Sequence, residues 1–242
     1  MIYICTIIKN EHHYLREWLD YHLNNGFDKI ILIEDYNSSS HEGIIKDLIE
    51  QDKVILIHES FVRGDRQKEY LNRNIQPIVG NYCLFTDIDE YIVGDIKQLC
   101  DKKTYLIKGI CYGANNHIVQ PKSMKDFDDD YKGDMNAFVN NGGYKIFAYI
   151  TNAFRIKNIH GNLTIPRAKN IYYKHYYTKS LEDWIIKLHK GNYINYKYNI
   201  KMFFDINKEM LYNKDVENFI FNTKDFTLKT MYNTLKLINY VK

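Results

Sequence analysis

Short apolar runs alternate with helical patterns through the first 90 residues of this chain of 242 residues. The runs at 2–8, 29–33, 54–57 and 82–86 are rich in β-branched and aromatic residues, which is typical of buried strands. The segments between the runs carry apolar residues at helical spacing or, at 65–76, a polar stretch that ends at Pro77. This repetition predicts an α/β fold with a mostly parallel sheet flanked by helices.

Right-handed crossovers in such a fold bring the loops that follow the strands to one edge of the sheet, where ligands bind. The residues expected at that edge are 9–11, 34–35 and 87–90. The first strand is followed by no glycine-rich dinucleotide fingerprint, and the chain has no P-loop, so neither of these nucleotide sites is predicted.

Two carboxylates, Asp87 and Asp89, follow the fourth apolar run. In extended backbone both point to the same side while Ile88 turns into the core. Hard oxygen ligands at a strand end suit Mg²⁺ or Mn²⁺, so we predict a metal site; the alternative is a hydrogen-bonded structural turn. The acidic run 128–130 has no apolar strand before it and reads as a solvated loop.

Composition narrows the class of protein further. A net charge of +3 is too balanced for an electrostatic nucleic-acid binder. The four cysteines have no spacing typical of zinc or disulfide frameworks, so buried thiols in a reducing compartment are expected. We expect no transmembrane segment and no signal peptide, and therefore a cytoplasmic protein.

Four groups of residues resemble motifs of a group of glycosyltransferases that includes family 92 and the related family 2-like bacterial sequences. They occur in the same order as in those proteins and extend over about residues 2–191. The first group is Lys9-Asn10-Glu11, Tyr14-Leu15, Glu17-Trp18, Tyr21-His22 and Gly26-Phe27-Asp28. The others are Phe85-Thr86-Asp87-Ile88-Asp89-Glu90-Tyr91, then Lys145-Ile146 with His160, and finally His175-Tyr176-Tyr177-Thr178-Lys179-Ser180 with Lys187 and Lys190-Gly191. The resemblance implies a GT-A (Rossmann-like) fold, a nucleotide-sugar donor, a divalent metal and inversion at the anomeric carbon.

The chain departs from that pattern at two positions. Ser40 stands where the family has an aspartate after its second strand, and Lys190 stands where it has an arginine. These departures concern the contacts to the nucleotide more than the fold.

Metal ligands are predicted at Asp87, Asp89 and His175. His175 lies in a late strand-like segment and would complete the shell of a Mn²⁺ or Mg²⁺ ion; the alternative is a histidine hydrogen-bonded within the structure. His160 is a weaker second candidate for this role.

Contacts to the donor are predicted at Thr6, Glu11, Asp35, Arg66, Asp87 and Lys179. Asp35 would accept hydrogen bonds from a ribose or base, or else stabilise a turn. Thr6 and Glu11 would lie near the base, although Glu11 also suits the first turn of its helix. Arg66 would pair with the base or a phosphate, or lie on a solvated helix face. Lys179 would bind a diphosphate oxygen as a point charge.

Inversion in one displacement needs a base for the acceptor hydroxyl, and we predict Asp126 in preference to Asp128, Asp130 and Asp134. Downstream, Ser180 and Asp183 form a capping-box pattern, and Leu181, Trp184, Ile185 and Leu188 give the helix a buried stripe.

The sequence therefore predicts an inverting, metal-dependent glycosyltransferase that moves a hexose or N-acetylhexosamine, most simply from a UDP-sugar, to a hydroxyl of a glycan, protein or lipid-linked acceptor. The expected domains are 1–192, with a donor half 1–110 and an acceptor half 111–192, and a helical appendage 193–242. A non-catalytic sugar- or nucleotide-binding module of the same fold is the alternative. A haloacid-dehalogenase-type phosphatase fits less well, because its nucleophile lies on an early strand.

Overall fold

The computed structural model describes residues 1–36, 38–60, 67–117, 119–134, 143–157, 164–190 and 200–207, with the side chains of 188–190, 200, 201 and 204 left aside. Strands and helices alternate in its first half, as predicted. The strands are β1 Ile2–Ile8, β2 Lys29–Asp35, β3 Val54–Glu59, β4 Tyr82–Phe85, β5 Glu90–Val93, β6 Thr104–Tyr112, β7 Tyr131–Asp134, β8 Tyr144–Tyr149 and β9 Arg167–Tyr176. The α-helices are α1 His12–Asn24, α2 Glu42–Glu50, α3 Gln67–Asn74, α4 Leu181–Lys190 and α5 Ile200–Ile206.

The described strands form one sheet in the order β3-β2-β1-β4-β8-β6-β9-β5, with β7 paired to β6. The pairs β3–β2, β2–β1 and β1–β4 are parallel. The order 3-2-1-4 is that of a Rossmann-type sheet, and the chain reverses direction across the sheet between β1 and β4. The predicted α/β class, with a parallel sheet flanked by helices, is confirmed for this half.

The second half of the sheet is antiparallel where its register is defined. Strand β8 pairs antiparallel with both β4 and β6, and β5 pairs antiparallel with β9. The β5–β9 register sets Glu90 opposite His175. This pairing brings a late segment of the chain next to the residues that follow β4.

The core covers both faces of the parallel strands. Alternate side chains of β1 and β2, including Tyr3, Cys5 and Ile31, belong to a buried cluster with Leu71 of α3. Helix α1, with Trp18 fully buried, contacts β2 and β5. The four cysteines, all among the described residues, are thiols that form no disulfide, and three of them are buried.

The chain divides into two compact units, Met1–Cys111 with Gly133–His175, and Tyr112–Lys132 with Tyr176–Lys242. Within the second unit, the predicted capping box is confirmed: Asp183 N donates to Ser180 Oγ at 3.1 Å, and Ser180 N donates to Asp183 Oδ2 at 3.2 Å. Leu181, Trp184 and Ile185 are buried as predicted, and the side chain of Leu188 lies outside the part that the structure describes. The predicted boundary near residue 192 lies outside the described residues and stays a prediction.

Among the described residues, no helix has the length and apolar character needed to cross a lipid bilayer.

Candidate metal centre

The residues after β4 form a tight turn. Glu90 N donates to Asp87 O at 3.2 Å, and Ile88 is buried. The expectation of extended backbone through Asp87 and Asp89 is therefore wrong, because residues 87–90 form a hydrogen-bonded turn before β5. The turn places the two aspartates and Glu90 at the carboxyl end of β4. This end lies beside the point, between β1 and β4, where the order of the strands in the sheet reverses.

A buried lysine of β8 neutralises part of the negative charge of the carboxylates in this turn. Lys145 Nζ lies 2.5 Å from Asp87 Oδ2 and 3.0 Å from Glu90 Oε2, and the lysine side chain is 2% exposed. Burial lowers the pKa of Lys145, but its two carboxylates outweigh burial and hold the pKa above its ordinary value. Burial raises the pKa of Asp87 and Lys145 lowers it, with a net lowering. The β4–β8 pairing thus supplies an internal cation.

His175 of β9 completes the cluster. Its Nε2 lies 3.5 Å from Asp89 Oδ1, and its Nδ1 lies 3.6 Å from Glu90 Oε1. Asp89, Glu90 and His175 each offer one ligand atom within 4.8 Å of the others. The structure therefore brings together Asp89 and His175, which the sequence predicted as ligands, and adds Glu90, which the sequence analysis missed.

The cluster fits a divalent cation on two observations. Three carboxylates, Asp87, Asp89 and Glu90, against the one ammonium of Lys145 leave two negative charges when all are ionised. Glu90 Oε1 is buried and accepts no hydrogen bond from any described residue. A buried carboxylate oxygen without a donor is costly, and ion binding is one of the arrangements that removes such a cost.

Burial and the charge around Glu90 act in opposite directions on its acidity. Burial raises the pKa of Glu90 above its ordinary value, although the neighbouring Lys145 acts to lower it. The glutamate is 1% exposed. Lys145 therefore offsets part of the effect of burial on the pKa of this glutamate.

Helix α1 holds the strand that begins at Glu90. Trp18 Nε1 donates to Glu90 O at 2.8 Å, and the Tyr21 hydroxyl donates to Ile92 O at 2.7 Å. Ile92 N donates to His22 Nε2 at 3.4 Å. The tryptophan, tyrosine and histidine of the opening sequence pattern thus anchor β5, and the resemblance gave no sign of this role.

Tyr173 is a second residue of the site that the sequence did not single out. It lies two positions before His175 on β9, so both side chains share one face of the strand. Its buried hydroxyl makes no hydrogen bond with the described part of the chain. Burial holds the pKa of Tyr173 well above its ordinary value, so the phenol stays protonated and available as a donor.

The predicted donor contacts at the ends of β1 and β2 lie in the same unit as the cluster. Thr6 is buried, and its hydroxyl has no hydrogen-bond partner among the described residues. Asp35 is also buried and forms an ion pair with Lys9 Nζ at 2.7 Å. A ligand that used Asp35 as an acceptor would therefore share it with Lys9.

Glu11 has a local structural role. It is the N-cap residue of α1, and its backbone N–H donates to His41 Nε2 at 2.9 Å. His41 Nδ1 in turn contacts buried Glu34. Because Nε2 accepts, Nδ1 must carry the proton and donate to the carboxylate. This chain of contacts ties the loop after β1 to the end of β2.

Asp126 and Lys179 belong to the second compact unit. The Asp126 carboxylate accepts from Ser123 N at 3.3 Å in a capping box of the short 3-10 helix Met124–Phe127. Lys179 has a positive φ of 52° just before α4. The catalytic role of Asp126 and the phosphate role of Lys179 stay predictions. Arg66 and His160 lie outside the described residues.

No protein-family model matches the chain, and no curated protein matches it. Solved structures that resemble it include S. aureus TarS 1–349, at 16% identity and a TM-score of 0.39 over 50% of this chain and 38% of that one. The same protein in complex with UDP gives 15% identity and a TM-score of 0.38, again over 50% of this chain and 38% of that one. HddC from Yersinia pseudotuberculosis gives 14% identity and 0.41, over 78% of this chain and 99% of that one.

The chain thus spans little more than a third of the TarS chain that it matches. TM-scores of this size are too low to support a fold family or an activity.

Proposed function

We propose that the chain is an inverting, metal-dependent glycosyltransferase of the GT-A type, similar to family 92, that uses a nucleoside diphosphate sugar as donor. The observation that supports this most is the cluster of Asp89, Glu90 and His175 at the carboxyl end of β4. It stands at the strand-order reversal of a Rossmann-type sheet, where such sheets bind nucleotides.

Asp89 and His175 would hold the metal ion, and Asp87 would approach it with the carboxylate oxygen that Lys145 does not engage. A bound Mn²⁺ or Mg²⁺ would supply positive charge to the diphosphate leaving group. Lys145, itself buried, holds Asp87 in place through an ion pair, and the protonated hydroxyl of Tyr173 would be a hydrogen-bond donor in the same site. The proposed contacts to the donor are Thr6, Glu11, Asp35, Arg66, Asp87 and Lys179.

The donor sugar is proposed to be a hexose or N-acetylhexosamine carried by UDP, and the acceptor a hydroxyl of a glycan, protein or lipid-linked molecule. A panel of UDP-, GDP-, CMP- and dTDP-sugars tests the donor by thermal shift, since a ligand that binds only the folded state raises the apparent stability. Release of nucleoside diphosphate with Mn²⁺ supports the transferase. Binding without turnover supports a non-catalytic module, and phosphate released from a monoester supports a phosphatase.

The metal ligand is tested with Asp89→Asn, which is isosteric but removes the charged ligand. We expect Mn²⁺-dependent turnover of the donor to fall at least a hundredfold while the thermal unfolding midpoint without metal stays near wild type. Asp52→Asn is the matched control, since Asp52 is 76% exposed and lies in the turn after α2. Full turnover in Asp89→Asn would contradict the proposed metal site.

The base is proposed to be Asp126. An amide cannot take a proton from the acceptor, and general-base catalysis contributes about 10²–10⁴-fold to such steps. Asp126→Asn should therefore lower transfer at least a hundredfold without changing Mn²⁺ affinity. Its carbonyl still accepts from Ser123 N, so the cap of the 3-10 helix is retained. Unchanged transfer would show that Asp126 only caps this helix.

A further inference from the structure

The ring of His175 lies between two carboxylates, one facing each nitrogen. Nε2 is 3.5 Å from Asp89 Oδ1, and Nδ1 is 3.6 Å from Glu90 Oε1. A histidine that binds one metal ion uses one nitrogen, and the other nitrogen commonly donates its proton to a carboxylate. The two carboxylates of this site therefore need not have the same role.

The two oxygens of Glu90 have different surroundings. Oε2 accepts from Thr86 Oγ1 at 2.8 Å and from Asp87 N at 2.9 Å, and Lys145 Nζ lies 3.0 Å away. Oε1 is buried and accepts no hydrogen bond from the residues that the structure describes. The β5–β9 register keeps Glu90 opposite His175. Oε2 thus has three donors around it, whereas Oε1 has His175 Nδ1 at 3.6 Å and no hydrogen bond from a described residue.

We propose that Glu90 is a positioning residue that fixes His175 in the Nδ1–H tautomer and so leaves the Nε2 lone pair directed to the metal beside Asp89. The inference rests on the proposed metal-dependent function. The Nδ1–Oε1 distance of 3.6 Å is about 0.6 Å longer than a typical N–H···O hydrogen bond. A small adjustment of the ring completes that bond. Glu90 then acts on the metal only through the histidine, whereas Asp89 would bind the metal directly.

Glu90→Gln tests this role with little change of shape. The three donors around Oε2 require the carbonyl oxygen of the glutamine on that side, which turns its NH₂ group toward Nδ1. A donor facing Nδ1 favours the Nε2–H tautomer, in which the metal-facing nitrogen carries a proton. Loss of such an outer partner costs about 10–100-fold in metal affinity.

Two measurements separate positioning from a merely structural role. Long-range ¹H–¹⁵N correlation on histidine-labelled, metal-free protein at pH 7.5 reports the tautomer, with the signal assigned by His175→Gln. Electron paramagnetic resonance of free Mn²⁺ reports the dissociation constant without any nucleotide sugar. We expect Nδ1–H in the wild type, Nε2–H in Glu90→Gln, and Mn²⁺ binding at least tenfold weaker in the variant. Thr86→Val is the control, because it removes a donor to Oε2 only and should change neither quantity.

Results that differ from this expectation either contradict the inference or show that the inference and the proposed metal-dependent function do not hold together. A wild type in the Nε2–H form refutes the inference, and this result does not need the variant to fold. Weaker Mn²⁺ binding in Glu90→Gln with the Nδ1–H tautomer kept would make Glu90 a direct ligand and also refute it. A wild type in the Nδ1–H form that binds no Mn²⁺, with the tautomer changed in Glu90→Gln, would uphold control of the ring by Glu90 and refute the metal-dependent function.

Discussion

Replacing Lys145 with methionine should leave a carboxylate buried without its cation. Methionine keeps most of the length and volume of the lysine stem but removes the ammonium that lies 2.5 Å from Asp87 and 3.0 Å from Glu90. Asp87 has a side chain that is 42% exposed, so water can take over part of the role of Lys145 there. Glu90 is 1% exposed, and water cannot reach it.

Without Lys145, the buried Glu90 can lose its charge by binding a proton. The free energy of this protonation sets an upper limit to the stability that the variant loses. Protonating a carboxyl group of ordinary pKa near 4.3 costs about 3.7 kcal/mol at pH 7 and about 1 kcal/mol at pH 5. Removing one partner of a buried ion pair typically costs about 3–5 kcal/mol. We therefore expect Lys145→Met to lower the free energy of unfolding by about 3 kcal/mol at pH 7.

The pH dependence of this loss has a definite sign. Burial already raises the pKa of folded Glu90, and removal of Lys145 takes away a charge that lowers it, so the folded variant binds the proton more readily than the wild type does. Its stability relative to wild type should recover as the pH falls, to a difference of about 1 kcal/mol at pH 5. Urea unfolding followed by tryptophan fluorescence, with EDTA present, measures both values.

Lys108→Met is the matched control on the neighbouring strand β6. Lys108 pairs with Asp134, and both side chains are more than 40% exposed. Such exposed pairs contribute about 0–1 kcal/mol, so this control should change stability little at either pH. A loss below about 1 kcal/mol for Lys145→Met at pH 7, or a loss equally large at pH 5, would refute the reasoning.

Two further predictions concern stability. Burial lowers the pKa of His22 to about 3, so the unfolded chain binds this proton more readily and stability is lost as the pH falls below 6.5. His22→Gln should reduce the loss between pH 7.5 and pH 5.0 by about 2 kcal/mol in urea titrations, and an unchanged loss would contradict the assignment. In Gly109→Ala the new Cβ would lie 2.4 Å from the Tyr173 ring, so we expect about 1–3 kcal/mol of destabilisation by the same assay. The control Gly43→Ala meets no atom within 4 Å and should be neutral or stabilising, and equal effects in both variants would contradict the packing argument.

The parallel half of the fold was predictable because its signals are local. The four strands from Ile2 to Phe85 and helices α1 and α2 carry their own hydrophobic patterns, Pro77 marks the end of the polar segment of α3, and short connections leave few ways to join these elements. Observed strands differ from the predicted runs only at their ends; β2, for example, continues through Asp35. Local patterns contain no information about which later strand joins the sheet, so the antiparallel pairing of β8 with β4 was not predicted.

In the candidate metal site, too, residues with a local sequence signal were predicted, and contacts between distant segments were not. Asp89 and His175 were predicted, but the ion pair of Asp87 with Lys145 joins residues 58 positions apart and leaves no trace in either segment. Glu90 had a weak signal of its own. A charged residue stands directly before the apolar run Tyr91-Ile92-Val93, where only a partnered carboxylate can be buried. The expectation of extended backbone at Asp87 and Asp89 hid this signal.

The pairing of β5 with β9 also sets an order of events during synthesis. Strands β1 to β4 lie within the first 85 residues, whereas Glu90 meets its partner His175 only after 85 further residues have been made. Contacts of such separation form late, because closing a long loop costs entropy before any contact is gained. Until β8 and β9 arrive, the carboxylates after β4 lack both Lys145 and the histidine, and they remain in water. During synthesis, this unit would therefore become able to bind a metal ion late, after its parallel strands have already paired.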